Sequence, residues 1–124
     1  MAKILYIEDI QDNITLVEKI ITSQGHEFLS AKSAEQGLEL AFNSSPDLIL
    51  LDLGLPDADG QTLSVWLKGN PTLENIPIIV LTAWPEEVVQ HTVKAYNLNG
   101  YLCKPFNMRD LLQIIDRTLS TKAS

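Results

Sequence analysis

Two unbroken apolar runs constrain this chain most: Leu48-Ile49-Leu50-Leu51, and Ile78-Ile79-Val80-Leu81 after Pro77. Each is too short for a buried helix, and a strand apolar at every residue must be covered on both faces. That is the pattern of interior strands in a parallel sheet. Lys3 to Ile7 reads as a first strand, His26 to Ala31 as a weaker second and Gly100 to Cys103 as a short fifth. Between them run segments with helical spacing. One opens at Gln11 or Asp12, carries Ile14, Val17 and Ile21, and stops at Gly25. Ser33-Ala34-Glu35-Gln36 has the form of a capping box and starts a helix to about Asn43. Gln61 to Lys68 places Leu63, Trp66 and Leu67 on one stripe and closes near Gly69. Pro85 suits the first turn of a helix with Val89, Val93 and Tyr96, after which Asn97 takes the left-handed cap. Asn107 caps a last helix with Met108, Leu111, Leu112, Ile115 and Leu119 on one face. Five strands alternating with five helices predict an α/β domain whose parallel sheet is covered on both faces through right-handed crossovers. Its 124 residues suit one domain.

A net charge of -7, with no basic stripe to offset it, argues against direct binding of nucleic acid. The single cysteine, Cys103, sits in an apolar context as a small hydrophobe and has no internal disulfide partner. The start lacks the apolar core of a signal peptide, and no segment approaches transmembrane length. A cytoplasmic protein with no membrane partner is expected.

Asp52 ends the first apolar run, and Gly54, Pro56 and Gly60 turn the chain away just beyond it. Open parallel sheets place their ligands at such strand ends. Glu8-Asp9 ends the first strand, Thr82 the fourth and Lys104 the fifth. Each alone has an ordinary explanation, as a solvated loop charge, a strand-end cap or a snorkelling lysine. Asp52 is harder to dismiss, because a carboxylate at the end of an apolar strand is costly unless compensated. Three carboxylates at one sheet edge repel one another, so either a cation joins them or a pKa rises. Oxygen-only ligands suit Mg2+. A cation beside a carboxylate, a hydroxyl and an ammonium would neutralise a phosphoryl group, with Asp52 the best nucleophile, through an acyl phosphate.

The ordered set of Glu8-Asp9, Asp52 followed by Leu55-Pro56, Thr82-Ala83, Tyr101 and Lys104-Pro105-Phe106 resembles the receiver domain of two-component response regulators, over essentially the whole chain. The resemblance implies a flavodoxin-like (βα)5 three-layer sandwich with a five-stranded parallel sheet in the order 2-1-3-4-5. It implies Asp52 as phosphoacceptor. It also implies a Mg2+ site made by Asp9, Asp52, the Gly54 backbone carbonyl and, through water, Glu8. Thr82 and Lys104 would hold the phosphoryl group, Thr82 and Tyr101 would form the switch, and Pro105 is a candidate cis-proline. The implied phosphodonor is a histidine kinase or histidine phosphotransfer protein. A downstream protein would bind the face of the fourth helix, fifth strand and fifth helix, and the chain would be a monomer or weak dimer.

Glu8 stands where an aspartate is the other common form, and Asn97 where glycine is frequent. The resemblance implies that Gly54 and Trp84 lie at two positions that tune phosphoryl lifetime, where a bare glycine should let water approach and a bulky indole should hinder it. Asp57, Asp59, His26 and His91 are expected to be solvated. Two other functions remain open. A Mg2+-dependent phosphohydrolase with an aspartyl-phosphate intermediate usually needs a second Asp two residues after the nucleophile, where this chain has Gly54. An FMN-binding domain needs a Gly- or Ser/Thr-rich phosphate cradle where Glu8-Asp9-Ile10-Gln11-Asp12 is acidic. A stand-alone protein is expected rather than an excised fragment.

Overall fold

In the computed structural model, which describes residues 1–123 and the side chains of residues 1–121, strands and helices alternate throughout. They are β1 (Lys3–Ile7), α1 (Gln11–Thr22), β2 (Glu27–Ala31), α2 (Ala34–Ser44), β3 (Leu48–Leu51), α3 (Gly60–Lys68), β4 (Ile78–Thr82), α4 (Glu86–Ala95), β5 (Gly100–Cys103) and α5 (Met108–Ala123). All strand pairs are parallel and the sheet order is β2-β1-β3-β4-β5. This is the flavodoxin-like order expected from the resemblance.

Alternation along each interior strand divides the core in two. Leu5, Ile7, Ile49, Leu51, Ile78 and Val80 face one way, against Ala34 and Ala41 of α2, Leu63 and Leu67 of α3 and Val89 of α4. Ile4, Tyr6, Leu48, Leu50, Ile79 and Leu81 face the other way, against Ile14, Val17 and Ile21 of α1 and Leu111 and Ile115 of α5. Every residue of β3 and β4 is buried, as their uninterrupted apolar runs require. Each fully buried Leu or Ile contributes about 1.5–3 kcal/mol.

The helix ends follow local chemistry. Ser33 Oγ accepts from Gln36 N, whereas the Gln36 side chain reaches back to Lys32 N rather than to Ser33, so the capping box is displaced by one residue. Asn107 Oδ1 accepts from Asp110 N and caps α5. Asn97 is left-handed at φ 56°, as expected, and so is Ser45 at φ 47°, which ends α2 with no glycine to announce it. Three readings of the helices need correction. Trp66 is 46% exposed, because the buried arc of α3 is Gly60, Leu63, Ser64 and Leu67. Met108 is exposed, and Ile114 takes its place on the buried face of α5. Pro85 precedes the first turn of α4 as its N-cap.

The register aligns the functional ends. Ile7 pairs with Leu51 and Leu51 with Val80, and Thr82 pairs with Cys103. Asp52 N donates to Ile7 O, and Lys104 N to Thr82 O. Glu8, Asp52, Thr82 and Lys104 therefore emerge along one sheet edge.

Candidate metal and phosphorylation site

The edge of β1 and β3 brings Glu8, Asp9 and Asp52 together, with one carboxylate oxygen of each within 4.8 Å of the others. Glu8 is fully buried, Asp52 is 7% exposed and Asp9 is exposed. The chain burial that made the apolar strand possible leaves Asp52 poorly hydrated. Burial first, and then the charge of Glu8, push the Asp52 carboxyl from near 3.8 up to about 6, against the opposing pull of Lys104. Glu8 goes the other way. Burial alone would raise it, but the Lys104 ammonium overrides burial and holds it at about 2.

Lys104 Nζ lies 2.5 Å from Glu8 Oε1, so the expected ammonium is at the site but bonded to Glu8. The same carboxylate accepts from Tyr6 OH at 3.1 Å, Asn13 Nδ2 at 2.9 Å, Asp9 N at 3.0 Å and Ile10 N at 3.4 Å. A buried carboxylate stays ionised only when so provided with donors. The sequence reading missed Tyr6 and Asn13. Tyr6 had a signal, since residues two apart in a strand share a face.

Thr82 is 1% exposed, and its Oγ1 accepts from Trp84 N at 3.2 Å. Tyr101 is half-buried against the core, with its hydroxyl accepting from Gln90 Nε2 of α4 at 2.9 Å. The Lys104–Pro105 peptide bond is cis. Gly54 is exposed, and a Cβ built there would lie 3.8 Å from Trp84 Nε1, so the indole covers the space that the missing side chain leaves. Gly60 is obligatory in a stricter sense, because a Cβ there would fall 2.7 Å from Asp52 O.

Asp57 and Asp59 are exposed, as expected for solvated charges, but each is also bound to backbone. Asp57 accepts from Ala34 N at 2.8 Å and Glu35 N at 3.0 Å, at the start of α2. Asp59 caps α3 by accepting from Thr62 N at 2.7 Å. His26 differs from expectation: its Nδ1 accepts from Ala2 N at 3.0 Å. His91 is exposed.

Fit to a divalent cation can be judged from the donors. All three side chains offer hard oxygen and they converge at one edge, where burial first, and then the charge of Glu8, disfavours ionised Asp52, a cost that a bound cation would offset. The set fits Mg2+. Among the described residues, no helix is long and apolar enough to cross a membrane.

A doubly wound parallel sheet carrying an acidic cluster, a hydroxyl and an ammonium at its C-terminal edge defines a class of α/β proteins that handle phosphoryl groups beside a hard cation. The comparisons narrow it to one family. The sequence model of the response regulator receiver domain matches residues 4–116, and this chain belongs to that family. The polar-differentiation response regulator DivK of Brucella ovis is 30% identical over 112 residues, covering 90% of this chain and 91% of the relative. A two-component response regulator from Clostridium difficile superposes with a TM-score of 0.92 at 26% identity, with 100% of both chains covered. The receiver domain of a sensor histidine kinase from Pseudomonas aeruginosa, with a magnesium ion coordinated in its active site cleft, superposes with a TM-score of 0.88 at 28% identity, covering 96% of this chain and 98% of that one. The protein is therefore a receiver of two-component signalling, a family of switches that bind Mg2+ in an acidic site and interact with histidine kinases and downstream targets.

Proposed function

We propose that the chain acts as one receiver domain over residues 1–124, taking a phosphoryl group on Asp52 from a phosphohistidine of a kinase or phosphotransfer protein and changing the protein-binding surface it presents. The observation that carries this reading is the placement of Asp52 beside Glu8 and Asp9, with Thr82 and Lys104 ending the strands on the other side. A Mg2+ ion held by Asp9, Asp52 and the Gly54 carbonyl, with Glu8 acting through water, would supply charge neutralisation for the incoming phosphoryl oxygens. The Asp52 carboxylate attacks phosphorus in line, the bond from phosphorus to the donor imidazole nitrogen breaks, and an acyl phosphate remains on Asp52.

The chain's own groups then do the rest. Lys104 exchanges Glu8 for a phosphoryl oxygen, while Tyr6 and Asn13 keep Glu8 satisfied. Thr82 gives up the Trp84 amide and donates its hydroxyl to the phosphoryl group. The space it vacates lets Tyr101 leave Gln90 and turn inward, which alters the face of α4, β5 and α5 offered to a downstream protein. The chemistry is confined to the chain's own aspartate, so this is a signalling switch and not a metabolic enzyme, working in the cytoplasm without direct nucleic-acid or membrane contact, as a monomer or weak dimer.

Transfer from a phosphohistidine-bearing donor tests the reading. The label should move to this chain only with Mg2+ present, and it should be released by hydroxylamine, as an acyl phosphate is. A hydroxylamine-stable label, or steady turnover of a small phosphomonoester, would favour a different chemistry.

A further inference from the structure

The loop from Asp52 to Gly60 must present a carboxylate and, under the function proposed above, the Gly54 carbonyl. Gly54 has no side chain to anchor it, and within this loop Gly54, Pro56, Asp57 and Asp59 are exposed. Leu53 is fully buried on one side of Gly54, while Leu55 is only half-buried on the other. Beyond Leu55 the loop is tied to the body of the protein by Asp57. Its two oxygens accept from Ala34 N at 2.8 Å and Glu35 N at 3.0 Å, 23 and 22 residues away in sequence.

These bonds complete the start of α2. The first four amides of a helix have no partner within it. Here Asp57 takes Ala34 N and Glu35 N and Ser33 Oγ takes Gln36 N, before the regular ladder begins with Gly37 N donating to Ser33 O. The position at a helix N-terminus suits a carboxylate, and the backbone amides of Ala34 and Glu35 lower the Asp57 carboxyl below its ordinary range.

We infer that Asp57 is a positioning residue for the metal and phosphorylation site, clamping the loop that carries Gly54 to the N-terminus of α2. This rests on the assignment of the Gly54 carbonyl as a metal ligand. Loss of the clamp lets residues 54–57 move and misplaces one of the three direct protein ligands, while Asp9 and Asp52 keep theirs.

The test measures Mg2+ affinity from Trp84 fluorescence in a Trp66→Phe background, alongside urea unfolding without metal. Asp57→Ala, and Asp57→Asn should the first fail to fold, are expected to weaken Mg2+ binding by about three- to tenfold, at or below the lower end of what supporting residues contribute at metal sites, because Asp57 acts through the loop and not on a ligand directly. Two controls separate positioning from simpler effects. Ser33→Ala removes the neighbouring cap of the same helix without touching the loop, and Asp59→Asn removes one loop charge while keeping a capping side chain. Both should bind Mg2+ within about twofold of the parent, although Ser33→Ala is destabilised. Faster hydrogen exchange at Ala34 and Glu35 in the Asp57 variants would show the clamp released. Unchanged Mg2+ affinity in the Asp57 variants overturns the inference, as does equal weakening in either control. A parent protein that binds no Mg2+ overturns the metal reading itself, a result distinct from both.

Discussion

Replacing Asp52 with asparagine is expected to stabilise the metal-free protein at neutral pH. Its carboxylate is 7% exposed and lies beside fully buried Glu8. Burial, and then the charge of Glu8, raise its carboxyl from near 3.8 to about 6 despite the attraction of Lys104. A rise of that size corresponds to about 3 kcal/mol of unfavourable ionisation in the folded state. Glu8 and Asp52 share one field, so the effect of a single substitution is about 1–3 kcal/mol. The sign follows from linkage. An acid whose folded pKa is raised favours folding while protonated, an advantage present below about 3.8 and lost as pH rises through about 6. The wild type therefore bears the full penalty above pH 6, and asparagine bears none. Urea unfolding in a chelator should show Asp52→Asn more stable at about pH 7.5, with the gain shrinking toward about pH 4.5. Excess Mg2+ should narrow or reverse the difference, because it binds the wild-type folded state more tightly. An Asp52→Asn protein that is no more stable at neutral pH, or whose gain does not depend on pH, would refute the account of a frustrated carboxylate.

Three further outcomes follow from the same geometry. Lys104→Met leaves buried Glu8 with only neutral donors, so its carboxyl should climb from about 2 toward or beyond its ordinary 4.5. Stability that the wild type keeps above pH 4.5 and loses as pH falls toward 2 should be missing in this variant, a loss of about 1–3 kcal/mol near neutrality, readable by urea unfolding across pH. Gly60→Ala forces a methyl to within 2.7 Å of Asp52 O, so unfolding should show a loss of about 1–3 kcal/mol and fluorescence titration weaker Mg2+ binding. In the wild type, Mg2+ affinity measured by Trp84 fluorescence should fall below about pH 6, approaching tenfold per pH unit as Asp52 takes up its proton.

Much of the fold is legible in the chain because the signals act locally. The apolar runs at Leu48 to Leu51 and Ile78 to Leu81 can only be interior strands, and the turn residues mark where each element stops. Strand order is different, since two equally apolar strands do not say which is whose neighbour; that came from the resemblance. The phase of a short helix is also weakly determined. Spacing alone places Trp66 inward, yet Ser64 is buried instead, because its small side chain fits and its hydroxyl returns to Gln61 O. At the site, the residue types at the strand ends were readable, but their partners were not. That Lys104 would bond Glu8, and that Asp57 would reach Ala34 and Glu35, depends on contacts between segments far apart in sequence.

The central claim is that Asp52 accepts the phosphoryl group. Incubation of the intact protein with acetyl phosphate and Mg2+, followed by mass measurement under mildly acidic conditions, tests it most directly. The wild type should gain a single phosphoryl group, with none gained without Mg2+ and none on Asp52→Asn. A phosphoryl group that persists on Asp52→Asn would contradict it.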